Sequence, residues 1–125
     1  MQTHTQSYEK VKPYITKDGS TIRELMHPGV HGNIQQSLAE ARVPAGQRTL
    51  LHRHHLTEEL YHVTSGQGLM RINEKTFLVQ SGDTVCIPPG AAHCITAIHS
   101  ELVLLCCCAP AYAHTDTELL ESAPE

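Results

Sequence analysis

Three histidines and a pair of glutamates have the residue types and the spacing of a metal site. His52 and His54 lie two residues apart in a segment predicted to be a strand, so both side chains point to the same face. Glu58 and Glu59 follow shortly after, and one of the two can face inward beside the histidines. His93 comes after a stiff Pro-Pro-Gly turn and opens a further predicted strand.

These donors indicate a divalent transition metal. Three neutral imidazoles and one carboxylate suit Mn, Fe, Co, Ni, Cu or Zn, whereas Mg and Ca prefer shells made of oxygen alone. An octahedral ion with four protein ligands keeps about two positions for water, substrate or dioxygen. We expect one divalent ion per chain, with manganese or iron as the first expectation and zinc or nickel as alternatives.

Two further residues are candidate catalytic residues that would contact a substrate. Tyr61 lies two residues after Glu59 and shares its face, so its hydroxyl can reach a substrate or a metal ligand, or the ring can simply pack in the core. Arg48 shares the parity of His52 and His54 if their strand begins early. It would then hold a substrate carboxylate, and the alternative is an exposed arginine in a loop.

The cysteines do not have the pattern of a metal or disulfide site. The consecutive cysteines at 106–108 alternate between the two faces of a predicted strand, so their three thiols cannot converge on one ion. We expect these three, together with Cys86 and Cys94, to be reduced and to pack as small buried hydrophobic residues.

Short segments separated by turn residues predict an all-β fold. From residue 34 onward, runs of four to eight residues, many of them alternating, end at turns rich in glycine and proline. The predicted strands are residues 36–43, 49–54, 60–64, 69–72, 77–80, 84–87, 93–97 and 102–108. Strands this short and this closely spaced favour a small barrel or jelly roll.

The segments on either side of these strands carry weaker signals. Residues 1–33 form a predicted N-terminal arm with an extended stretch at 11–15 and a short helix starting at Thr21, since Thr21 and Glu24 have capping-box spacing. The arm would pack on the barrel or on the partner in a homodimer. Residues 111–125 form a small acidic tail, which we expect to be disordered.

Charge and hydropathy argue against two classes of partner. The chain has nine Lys and Arg against thirteen Asp and Glu, a net charge of -4, and so lacks the basic field that binds nucleic acid. Its longest uncharged apolar run, residues 102–109, is far shorter than the roughly 20 residues that span a bilayer. The polar first ten residues resemble no export signal, so we expect a cytoplasmic protein without membrane or nucleic-acid partners.

Two motifs in the chain resemble those of the cupin superfamily. The first, G-x5-H-x-H-x3,4-E-x6-G, is matched at every gap by Gly46, His52, His54, Glu59 and Gly66. The second, G-x5-P-x-G-x2-H-x3-N, is matched by Gly82, Pro88, Gly90 and His93, with Ala97 in place of the asparagine. The resemblance covers about residues 34 to 108.

The resemblance implies a fold, a ligand set and an assembly. The fold would be a double-stranded β-helix, or jelly-roll, barrel over residues 34–110, and the chain would form a homodimer. The metal ligands would be His52, His54, Glu59 and His93, which makes Glu58 the outward neighbour. The alanine at position 97 leaves this ligand set intact.

Three functions fit this ligand set. The first is oxidation of a small organic acid, sugar or phenolic compound by a dioxygenase-type enzyme, in which the metal brings substrate and dioxygen together. The second is a non-redox isomerase, decarboxylase or lyase in which the metal acts as a Lewis acid. The third is metal-dependent binding of a small molecule without catalysis.

Overall fold

The protein folds into a curled antiparallel sheet with little helix. The computed structural model describes residues 4–122. Within that range the strands are Tyr14–Ile15 (β1), Thr21–Met26 (β2), Ser37–Val43 (β3), His52–His54 (β4), Glu58–Ile72 (β5), Lys75–Gln80 (β6), Thr84–Ile87 (β7), His93–Ala109 (β8) and Thr117–Leu119 (β9). The helices are Pro28–His31 (α1) and two 3-10 turns, Tyr8–Lys10 and His114–Asp116. Across the described residues, no helix has the length and apolarity needed to cross a membrane.

Two long strands, β5 and β8, run through the whole barrel. They pair from Glu58 opposite Ala109 to Ile72 opposite His93, with register shifts in β5 between residues 63 and 67. β8 also pairs with β3 and β4, while β6 and β7 pair with the two halves of β5. This curled antiparallel arrangement is the jelly-roll barrel, and the fold class predicted from the sequence is confirmed.

Gly66 lies at the bend of β5, where a side chain would not fit. Its φ angle is +88°, in the left-handed region that favours glycine. A Cβ atom built there would lie 2.5 Å from the carbonyl oxygen of Glu101 on β8. The glycine of the first motif therefore lets β5 and β8 approach each other closely.

Aliphatic side chains fill the interior, as expected for a chain with few aromatic residues. Val63, Met70, Leu102 and Leu104 are each at most 1% exposed. Leu69 is 39% exposed, so Met70 and not Leu69 faces inward. The alternation of β5 therefore resumes beyond its bend with the inward positions shifted by one residue.

The prediction of a helix starting at Thr21 is wrong, because this segment forms β2. β2 pairs with β3, with Ile22 opposite Ala41 and Glu24 opposite Ala39. A helix of six residues has little stability of its own, whereas pairing with β3 satisfies the backbone of the segment. Since β1 pairs with β2, the N-terminal arm extends the barrel sheet.

The expectation of a disordered tail is also wrong for the described residues beyond position 110. β9 pairs with β4, with Thr117 opposite His54. Thr117 is buried, and Lys17 Nζ donates to the carbonyl oxygens of Thr117 at 2.7 Å and of His114 at 3.3 Å. The tail therefore covers the edge of β4 and is tied to the N-terminal arm.

Candidate metal centre

The three predicted histidine ligands meet inside the barrel. His52 and His54 lie on β4 and His93 begins β8, with His52 directly opposite His93 in the register. One ring nitrogen of each lies within 4.8 Å of the others. The three residues are only 2%, 3% and 0% exposed, so their rings are almost entirely shielded from bulk water.

Backbone carbonyls fix the tautomers of two of these histidines. His52 Nδ1 lies 2.7 Å from the carbonyl oxygen of Leu50, and His93 Nδ1 lies 3.0 Å from that of Ala91. A carbonyl oxygen only accepts hydrogen bonds, so we assign the proton of each neutral ring to Nδ1. Each Nε2 then presents a lone pair to the centre of the cluster.

The side chain of Thr117 fixes the tautomer of the third histidine, His54. Thr117 Oγ1 donates to the carbonyl oxygen of Ala113 at 2.9 Å, so it accepts the proton on His54 Nδ1, also at 2.9 Å. The Nε2 of His54 therefore presents a lone pair to the centre as well. Support of this kind behind a histidine orients it as a metal ligand.

Glu59 supplies the fourth donor. Its Oε1 lies 3.1 Å from His54 Nε2 and 3.6 Å from His93 Nε2, and its Oε2 accepts the thiol proton of Cys108 at 3.4 Å. In the absence of a metal ion, burial acts to raise the pKa of Glu59, but the hydrogen bonds that His54 and His93 donate when they carry a proton on Nε2 outweigh it and lower the pKa to about 2. Glu59 is therefore ionised at neutral pH.

The donor set fits a divalent transition ion. Among the described residues, the buried Nε2 atom of His93 has no hydrogen-bond partner. With neutral rings, imidazole lone pairs and a carboxylate face one another, an arrangement that is repulsive until a cation lies between them. Three nitrogens and one oxygen are also the mixture that such ions prefer over Mg or Ca.

Asp18 is a neighbour of the centre that the sequence reasoning missed. It lies in the turn between β1 and β2, and its Oδ2 is 3.7 Å from His52 Nε2. Its Oδ1 accepts hydrogen bonds from the backbone N–H of Ser20 at 2.9 Å and from the Ser20 hydroxyl at 2.6 Å. An aspartate beside Gly19 is typical of a turn, and no spacing connects it to the histidines.

Tyr61 lies in the cavity next to the centre, as its parity with Glu59 predicts. Its ring is edge-on to that of His93, with 6.1 Å between centroids. Burial, and then the charge of Glu59, raises the pKa of Tyr61 well above its usual value, so the hydroxyl keeps its proton. Its catalytic role stays a prediction.

Arg48 is not brought to the other predicted site residues. Its Nη1 lies 2.7 Å from the Glu121 carboxylate and donates to the carbonyl oxygen of Thr49 at 3.3 Å. The side chain is 44% exposed and does not line the cavity. In this arrangement the guanidinium binds the C-terminal segment instead of facing the histidines.

The consecutive cysteines at 106–108 alternate between the two faces of β8. Cys106 and Cys108 are buried and line the cavity, whereas Cys107 on the opposite face is partly exposed. Burial raises the pKa of the thiols of Cys106 and Cys108, which keeps them protonated. All five cysteines are free, as expected, but the prediction that Cys86 is buried is wrong, because its side chain is exposed.

The centre opens into a cavity between the barrel and the N-terminal arm. Its walls include Tyr14, Asp18 and Glu24 from the arm and Tyr112 and Thr117 from the tail. The cavity has a volume of about 40 Å³, room for roughly three water molecules.

An antiparallel jelly-roll barrel with an internal histidine cluster defines the structural class of this protein. Within that class, the chain belongs to the cupin family, because the family model for the cupin domain matches residues 39–108.

The similar proteins match this chain over nearly its whole length. MJ1618 of Methanocaldococcus jannaschii, an uncharacterized protein, is 53% identical over 115 residues, covering 91% of this chain and 92% of MJ1618. The polyketide cyclase RemF of Streptomyces resistomycificus is 20% identical, with a TM-score of 0.80 over 98% of this chain and 88% of RemF. Pac13 of Streptomyces, a nucleoside dehydratase, is 17% identical, with a TM-score of 0.76 over 96% of this chain and 92% of Pac13.

Proposed function

We propose that the protein is a metal-dependent enzyme that performs acid–base chemistry, an isomerisation or an elimination, on a small organic molecule in the barrel. The observation that carries this proposal is the position of Asp18. Its Oδ2 lies 3.7 Å from His52 Nε2, while Ser20 engages its other oxygen. A carboxylate oxygen beside a metal centre is suited to accept a proton from a bound substrate.

The metal ligands and Asp18 would have separate roles in the reaction. His52, His54, Glu59 and His93 would hold one divalent ion, which supplies Lewis-acid polarisation of a substrate carbonyl or hydroxyl group. Asp18 takes a proton from a substrate C–H or O–H bond. Because the walls of the cavity are largely buried, these electrostatic interactions are stronger than in bulk water.

Tyr61 can donate a hydrogen bond to the substrate in such a reaction. Its hydroxyl remains protonated, because burial raises its pKa. It is therefore a hydrogen-bond donor to a substrate oxygen or to a departing hydroxyl group.

The dioxygenase predicted from the sequence would use the same metal ligands. A reaction with dioxygen at the metal does not require a separate carboxylate base, so Asp18 favours the non-redox alternative. The names of the structural neighbours, a dehydratase and a cyclase, support this preference. Dependence on oxygen separates the two functions.

Proton exchange with solvent tests the proposal before the product is known. The protein is purified without chelators or nickel resin, its metal content is measured, and it is reloaded with Zn(II), which has no redox chemistry. It is then incubated without oxygen in D₂O with small sugars, polyols and hydroxy acids, and deuterium incorporation is followed by NMR. We expect one ion per chain and deuterium exchange at a substrate carbon.

Two matched variants identify the base. Asp18→Asn should lower the exchange rate by about 10²- to 10⁴-fold while the metal content stays the same. Glu74→Gln removes an exposed carboxylate outside the cavity and should retain the full rate. Full activity of the Asp18 variant, or turnover only with iron and dioxygen, would contradict the acid–base function. A chain that binds no divalent ion would contradict the metal centre.

A further inference from the structure

The charged side chains that line the cavity are all carboxylates. Asp18, Glu24 and Glu59 contribute to its walls, and over residues 4–122 no lysine or arginine does. Lys17, next to Asp18 in the chain, points its Nζ at carbonyl oxygens of the tail, and Arg48 is paired with a glutamate. The lining described therefore offers no cationic side chain to a substrate anion.

Glu24 has one carboxylate oxygen that lacks a hydrogen bond. Its Oε1 accepts the hydroxyl proton of Tyr14 at 3.1 Å. Its Oε2 is buried and has no partner in the described part of the chain. Burial removes the hydration of this oxygen without replacing it, which is unfavourable. A ligand in the cavity supplies the missing donor once the carboxylate turns toward it, because this oxygen is covered in the arrangement described.

The wall around Glu24 leaves space for such a donor. Glu24 pairs with Ala39 across the sheet, and the inward residue before it, Ile22, pairs with Ala41. Both alanines line the same cavity as the carboxylate. Because these two side chains are short, β3 does not fill the volume beside Glu24.

We propose that the cavity binds an uncharged or cationic small molecule rich in hydroxyl or amino groups, with one of those groups donating to Glu24 Oε2. This inference names the substrate class of the function proposed above and rests on that function. A substrate anion would meet three carboxylates and no cationic side chain. Because these three negative charges outnumber the two positive charges of a bound divalent ion, like-charge repulsion opposes its binding. Of the substrates expected from the sequence, sugars fit this lining and organic acids do not.

Three small molecules with the same carbon skeleton test which ligand charge the cavity prefers. Glycerol, glycerate and 3-aminopropane-1,2-diol share two neighbouring hydroxyl groups and differ in the charge of the third group. Each is titrated into the zinc-loaded, ¹⁵N-labelled protein, and binding is followed through the amide resonances of the cavity. We expect glycerol and the aminodiol to bind at least about 10-fold more tightly than glycerate, since a lost charged hydrogen bond weakens binding by that order.

A substitution at Glu24 tests whether this side chain causes the preference for uncharged or cationic ligands. Glu24→Gln keeps the size of the side chain but removes its charge, and it should weaken binding of the aminodiol by about 10- to 100-fold. Glu74→Gln makes the same change in net charge on the surface and should leave all three affinities unchanged. Thermal unfolding checks that each variant is folded. The ranking of the probes with the unsubstituted protein decides the proposal even if the Glu24 variant is unfolded.

The outcomes separate this inference from the proposed function. Glycerate binding as tightly as the other two probes, absence of any cavity shift with all three, or an unchanged ranking in a folded Glu24 variant would each overturn the inference. Metal content and deuterium exchange are measured independently of the probes. A zinc-loaded protein that exchanges protons but prefers glycerate would refute the substrate class alone, whereas failure to bind metal would refute the function.

Discussion

Replacing Thr117 with valine should weaken metal binding while the barrel stays folded. The Thr117 hydroxyl accepts from His54 Nδ1 at 2.9 Å and donates to the carbonyl oxygen of Ala113 at 2.9 Å. These two bonds hold the His54 ring with Nε2 toward the other ligands. Valine has nearly the same shape but cannot accept the bond, so the ring loses its fixed tautomer and orientation.

The size of the effect follows from the role of the hydroxyl. Loss of the group that supports a histidine ligand lowers metal affinity by about 10- to 100-fold, which corresponds to about 1.4 to 2.7 kcal/mol. The buried Nδ1–H also loses its acceptor, which costs the metal-free protein about 1–3 kcal/mol. A domain with about 5–15 kcal/mol of stability remains folded after such a loss.

Competition with a chromophoric chelator for Zn(II) measures the affinity, and two variants serve as controls. Thr117→Ser keeps the hydroxyl and should bind zinc nearly as tightly as the unsubstituted protein. Thr84→Val removes the same kind of bond, 2.8 Å from Nδ1 of the half-buried His62 away from the centre, and should have no effect. Unchanged affinity in Thr117→Val, or an equal loss in Thr84→Val, would refute the reasoning.

Three other predictions concern the fold, the assembly and acid stability. Gly66→Ala should lower the free energy of unfolding by about 2–5 kcal/mol, because its Cβ meets Glu101 and its φ is positive, as denaturant titration would measure. Gly82→Ala, with a φ of +97° but open space, should cost only about 1–2 kcal/mol, and equal losses would contradict the steric argument. The chain should be a homodimer of twice 13.8 kDa, since β1 leaves a sheet edge for a second copy, and a single-chain species in micromolar sedimentation would rule this out. In the metal-free protein the ionised Glu59 accepts hydrogen bonds from His54 and His93 with a proton on Nε2, and its folded pKa is lowered to about 2 from 4.5. It should therefore stabilise the fold above pH 4.5 and lose that contribution as the pH falls toward 2. Relative to Glu59→Gln, the loss should approach about 3 kcal/mol in acid denaturation, and parallel pH profiles would count against it.

The convergence of the histidines was predictable because it rests on local spacing. His52 and His54 share a face by strand alternation, and the motif around His93 places a rigid turn before it. The choice of Glu59 over Glu58 came from the resemblance to the cupins, since parity left both open. In the structure Glu59 is 5% exposed and Glu58 is exposed, in agreement with that choice.

Asp18 and Thr117 could not be predicted, because their positions depend on contacts between distant parts of the chain. Asp18 reaches His52 only because β2 joins the sheet through β3, and the sequence of β2 has a helical pattern. Thr117 reaches His54 only because β9 pairs with β4, more than 60 residues away along the chain. A pattern within one segment carries no information about such pairings.

The hydrogen bond between Lys17 and Thr117 joins the N-terminal arm to the C-terminal tail beside the metal centre. If β9 detaches, Lys17 loses its acceptor and His54 loses its support at the same moment, so the arm and the tail should open as one cooperative unit. Amide hydrogen exchange in β1, β2 and β9 should then share one opening free energy. A bound ion would slow all three strands together, because it binds only the closed form.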